Sequence, residues 1–126
     1  MKKVFNLPTL RLCFLVVSAV VLVNSSIKPG YSQEDSHSQM RAANLARFKA
    51  EELNGGLSKY RAASCMYQQR GGDCLVKKST YIYTFRFLGG EPGWQQLTKR
   101  PSIETEVEIS LDGRSIRRMV YNGPLR

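Results

Sequence analysis

Residues 80–88 run TYIYTFRFL, and their alternation decides the fold. Tyr81, Tyr83, Phe85 and Phe87 take every second position, with Thr80, Ile82, Thr84 and Arg86 between them. A β-strand turns successive side chains to opposite faces, so the pattern predicts four aromatic rings on one face. Rings of that size dominate burial, and this face therefore belongs to the core. Flanked by Lys77, Lys78 and Arg86, the same row could act as a stacking platform for bases. Packing against a helix explains it without a ligand, and nucleic acid is not expected as a partner.

Working outward, Cys74 to Leu88 forms one long strand, preceded by the turn Arg70-Gly71-Gly72-Asp73 and a weakly patterned strand from Tyr60 to Gln69. Downstream lies the Gly/Pro-rich connection GGEPGWQQLTKRPS, residues 89–102, longer than a hairpin requires. Ile103, Thr105, Val107, Ile109 and Leu111 then alternate with Glu104, Glu106 and Glu108, and Asp112-Gly113 signals a tight turn. The return strand, Arg114 to Tyr121, is expected to set Ile116 and Val120 opposite Ile109 and Thr105, and Glu108 opposite Arg117.

Upstream the period changes from two to 3.6. In MRAANLARFKAEEL, residues 40–53, the positions Ala42, Leu45, Ala46 and Leu53 make an apolar stripe with Phe48 on its flank. Ser38 is the expected N-cap, Asn54-Gly55-Gly56 ends the helix, and Arg47 and Glu51 pair on its wet side. Residues 33–38 (QEDSHS) form a flexible polar lead-in. The expected fold is α+β: one N-terminal helix packed on a four-stranded antiparallel sheet, a single domain over 39–126. Its order of elements is similar to cystatin-like folds, but the inhibitory Gln-x-Val-x-Gly is absent and no inhibitor role follows.

The first 32 residues form a signal peptide. Lys2, Lys3 and Arg11 precede the apolar run Leu12 to Val23, and Gly30 and Ser32 suit a cleavage site before Gln33, with a second possible cut after Ser25. The alternative is an uncleaved anchor, although twelve helical residues span only about 18 Å of a ~30 Å hydrocarbon core. Cleavage removes Cys13 and leaves Cys65 and Cys74, for which a disulfide is the expected state in an oxidising compartment. The leader also holds Lys2, Lys3, Arg11 and Lys28, four of the nineteen basic residues; residues 33–126 carry fifteen basic against ten acidic, a balance of +5. The phrases NLARFKAEELNGGLSKYRAASCM, FLGGEPGW and YNGP, behind a signal peptide, resemble small exported cyanobacterial proteins of unassigned function. That resemblance, over 40–126, implies a periplasmic or thylakoid-lumen setting and no particular chemistry.

A chain of 126 residues is too short for a TIM barrel or a doubly wound nucleotide-binding sheet. One His and three Cys supply too few ligands for a structural zinc site, and the glycine doublets form no phosphate loop. His37 lies in the polar lead-in, badly placed to serve a nucleophile. Glu104, Glu106 and Glu108 share one strand face and could act as an acid/base pair or calcium ligands, but a solvated sheet face explains them. Trp94, on its long connection with Lys99 and Arg100 close behind, remains the candidate for recognition, joined by Arg86. Its alternative, and the preferred reading, is a ring folded back to plug the open end of the core. No catalytic residue, metal or cofactor is expected. The leading expectation is an exported, non-enzymatic binding or assembly module with a basic surface, whose partner is an acidic protein, an anionic lipid surface or a polysaccharide. The alternatives are a membrane-tethered accessory subunit and a small hydrolase or isomerase using the strand carboxylates.

Overall fold

A computed structural model describes residues 32–126. The expected signal peptide up to residue 31, its second possible cut after Ser25 and the alternative anchor at 12–23 lie outside the described residues, and among the described residues no helix is long and apolar enough to cross a membrane.

The helix α1 (Gln33–Leu53) starts well before the expected Ser38 cap. Ser32 caps it instead, its hydroxyl accepting from the Asp35 N–H at 3.3 Å, and Glu34 and Asp35 complement the positive end of the helix dipole. The six residues expected as a flexible lead-in thus form its first turns. At the other end Gly55 and Gly56, with φ of 97° and 85°, reverse the chain as expected. The buried face is made of small residues: Ala42, Ala46 and Ala50 are fully covered, with Ala43 and Ser38 beside them. Leu53 and Phe48, placed by periodicity in or beside the stripe, are 47% and 56% exposed. Alanines let the helix backbone lie close to the sheet. A Cβ at Gly113 would collide with the Ser38 carbonyl oxygen, so this loop position needs glycine for both its contact and its φ of 72°.

The sheet has five strands rather than four. The expected first strand contracts to β1 (Arg61–Ala62), because Ser64–Tyr67 and Gln69–Cys74 form 3₁₀ turns. The expected long second strand breaks at residues 79–81 into β2 (Leu75–Lys78) and β3 (Ile82–Gly90), which pair with each other antiparallel. Ser79 makes the break: its hydroxyl accepts from the N–H groups of Tyr81 and Ile82. Tyr81 sits in that turn 79% exposed, whereas Tyr83, Phe85 and Phe87 fill the core as the alternation requires. Both β1 and β2 lie along one edge of β3, and β4 (Ile103–Ser110) and β5 (Ile116–Gly123) follow on the other side.

The β4–β5 pairing sets Ile109 opposite Ile116 as expected, but the register then slips twice. Glu108 faces Arg118 instead of Arg117, and Thr105 faces Asn122 instead of Val120. One bulge per interval lets Ile116, Met119 and Asn122 face α1 at a spacing of three. The two bulges also distort β5, an edge strand, in a manner that discourages pairing with another chain.

Cys65 and Cys74 are joined by a disulfide, with Cα atoms 5.7 Å apart. It links the two 3₁₀ turns. Between the cysteines Arg70, Gly71 and Gly72 take positive φ, and Gly71 lies against the ring of Phe85 with no room for a side chain.

A candidate recognition cleft beside the Trp94 loop

β1 is too short to protect its own outer side, and the loop after β3 does so with two adjacent side chains. Gly93, at a φ of 82°, begins a helical turn in which Leu97 N–H donates to the Gly93 carbonyl and Lys99 N–H to that of Trp94. The turn lays Trp94 against Gly90, where a Cβ would crowd both it and the Pro101 backbone. The indole Nε1 donates to the Arg61 carbonyl at 3.0 Å, and the ring is 9% exposed. Gln95 follows: its Oε1 accepts from Ser64 N–H at 2.8 Å and its amide donates to the Ser64 hydroxyl. Trp94 is thus the plug and not an exposed anchor.

Closing that end leaves a cleft of about 400 Å³ between the loop and the first 3₁₀ turn, lined by Arg61, Ser64, Tyr67, Trp94, Gln95 and Gln96 among others. Tyr67 forms the far wall. Its hydroxyl donates to Glu51 Oε1 at 2.9 Å, and the Arg47 guanidinium lies 4.5 Å from its ring centre and 4.7 Å from that of Phe48. Arg47 and Glu51 therefore meet, 3.7 Å apart, on the covered side of the helix rather than the wet side, with Glu51 only 5% exposed. No carboxylate lines the cleft. The Arg61 guanidinium and the Gln96 amide make no hydrogen bond or ion pair within the described residues, so their donors face solvent.

The other sequence candidates are distributed differently. Lys99 pairs with Glu91 at 3.3 Å, and Arg100 is exposed without an ion-pair partner among the described residues; neither lines the cleft. Arg86 stands on the outer face of the sheet, held by Glu106 at 3.3 Å, and does not join Trp94. Tyr67 and Arg61 are the residues that sequence reading missed. Tyr67 carried no usable signal because the 3₁₀ turn that presents it follows no period, and Arg61 was one cation among many.

The three strand carboxylates are paired rather than free. Arg126 donates to both Glu104 and Glu106, at 2.9 and 2.8 Å, and Arg118 grips Glu108 with two bonds at 3.2 and 3.1 Å. Hydrogen bonds from Arg126 hold the Glu104 and Glu106 carboxyls below their ordinary range. A general acid needs a carboxyl raised toward neutrality, and both are moved the opposite way. His37 is exposed, both described cysteines are oxidised, and no cluster of potential metal ligands occurs among the described residues.

No protein-family model, curated protein or solved structure matches this chain.

Proposed function

We propose that the chain is an exported, non-enzymatic binding module that recognises an anionic partner through the Trp94-loop end of its sheet. The observation that carries this reading is Arg61, which lines a carboxylate-free cleft with its guanidinium unpaired among the described residues. A guanidinium offers a planar fork of donors that suits carboxylate, sulfate or phosphate. Tyr67 and Trp94 supply rigid aromatic walls, and Gln96 a free amide. Beyond the cleft Lys59 and Arg100 extend the positive charge, with no ion-pair partner among the described residues. The disulfide supports the exported setting, since such bonds persist outside the reducing cytosol.

The test is a titration with polygalacturonate, a soluble polyanion, against neutral dextran. The wild-type protein is expected to bind the former and ignore the latter, and Arg61→Gln to weaken binding by roughly tenfold, the loss of one charge-assisted contact. Equal response to both polymers, or an Arg61→Gln protein that binds like wild type, overturns the reading.

A further inference from the structure

Resting on that reading, we propose that the anionic partner is a lipid bilayer surface, met by three chain segments that leave the same end of the sheet. That end collects the C-terminus of α1, the end of β3, the start of β4 and the end of β5, as the pairings of Arg61 with Gly90 and of Glu104 with Gly123 require. From it leave residues 54–60, the loop 91–102 and the terminus 124–126, the last turning back so that Arg126 bonds Glu104 and Glu106 while Leu125 stays exposed. Each carries a leucine facing solvent: Leu57 is 46% exposed, Leu97 64% and Leu125 48%, with Leu53 at 47% on the last helical turn. A single exposed leucine needs no explanation. One on each segment at one end, among cations, makes a surface of separate apolar tips rather than a groove.

The surrounding charge fits headgroups. Lys59, Arg61 and Arg100 are unpaired among the described residues, and the exposed carboxylates nearby, Glu52 and Glu91, are already matched by Lys49 and Lys99. The opposite end differs: Glu34, Asp35 and Asp112 gather there with Arg41 and Arg114, a mixed surface. Leucine tips entering the headgroup boundary by ~5–10 Å, with cations at phosphate level, is the arrangement by which peripheral proteins hold anionic membranes. A polysaccharide would use the cations and leave the leucines idle, and apolar tips on separate segments suit a deformable bilayer better than the fixed face of an acidic protein. Trp94, closed over Gly90 and bonded to Arg61, would stay outside the bilayer.

Co-sedimentation with vesicles of phosphatidylcholine, with and without phosphatidylglycerol, tests this on the mature protein alongside polygalacturonate. Binding to the anionic vesicles alone is expected, weakened about fivefold by each of Lys59→Gln and Arg100→Gln and roughly fivefold by each of Leu57→Ser, Leu97→Ser and Leu125→Ser. Spin-labelled lipid should broaden the amide signals of those leucines while Trp94 emission holds its wavelength; the same spectra report that each variant is folded. If the triple leucine variant binds vesicles like wild type, the inference falls. If polygalacturonate binds and vesicles do not, the inference falls and the anion-binding reading stands. If neither binds, both fall.

Discussion

The side-chain amides of Asn54 and Asn122 exchange two hydrogen bonds, each 3.0 Å long, and tie the helix C-cap to the last strand across 68 positions of sequence. Thr105 donates to the same Asn122 oxygen at 2.8 Å, and the Asn54 amide also reaches the Ala50 carbonyl at 2.7 Å. This network fixes the end of the helix against β4 and β5, and with it the three segments that the account makes responsible for recognition.

Asn122→Ala removes the hub and leaves the Asn54 amide and the Thr105 hydroxyl short of a partner. A cost of about 2–3 kcal/mol is expected, the penalty of stranding partly buried polar groups. Asn54→Ala should cost less, and a double-mutant cycle read by urea unfolding should return a coupling of about 1 kcal/mol. Purely additive losses would mean that the pair does not act as a unit.

The disulfide should contribute about 2–3 kcal/mol by restricting the unfolded chain. Cys65→Ala/Cys74→Ala is therefore expected to keep its secondary structure by circular dichroism and to melt at a lower temperature. Because Ser64 and Tyr67 flank Cys65 on the wall of the cleft, anion binding should weaken in this variant more than the stability loss alone dictates.

Tyr60 offers a pH signature. Its ring is buried under Gly89, its hydroxyl makes no well-formed hydrogen bond among the described residues, and burial pushes the phenol up to about 12. A folded-state pKa above the unfolded value near 10 means that the contribution is complete below about pH 10 and lost as pH rises through 12. Tyr60→Phe removes both the orphan hydroxyl and the ionisation. The expected result is stability at neutral pH equal to wild type or higher, and a weaker decline in alkali.

On the outer face the sign reverses. Arg126 holds Glu104 and Glu106 below their ordinary range, so their contribution is present above the unfolded carboxylate pKa and fades as pH falls through the depressed folded values. Arg126→Ala should raise both carboxyl midpoints in an NMR titration and make stability less sensitive to acid. Unchanged midpoints would detach Arg126 from the ladder.

The elements that were legible in the sequence are those with a sustained period. Tyr83, Phe85 and Phe87 declared β3, the Glu104–Glu108 alternation declared β4, and Asn54-Gly55-Gly56 declared the helix end. The disulfide followed from the even pair, Cys65 and Cys74, left when Cys13 goes with the expected leader, read in an oxidising compartment. What failed were positions where a local polar group outweighed the pattern. Ser79 turned one expected strand into two, and Ser32 with Glu34 and Asp35 carried the helix back through a polar segment. The helix face was misplaced because its buried residues are alanines, a serine and Glu51, while its bulkier Phe48 and Leu53 point outward. One bulge in β5 moved the partner of Glu108 from Arg117 to Arg118, and a second carried that of Thr105 on to Asn122. Of the candidate site, Trp94 was visible as a lone Trp on a long loop. Tyr67 was not, because non-periodic 3₁₀ turns and left-handed residues leave no period to read.

The central claim is one of location: recognition belongs to the Trp94-loop end. Arg61→Glu/Arg100→Glu and Arg114→Glu/Arg117→Glu alter net charge equally at two different places on the fold. Retention on immobilised polygalacturonate compares them directly. The first pair is expected to abolish retention and the second to leave most of it. Equal losses, or a larger loss from Arg114 and Arg117, would contradict it.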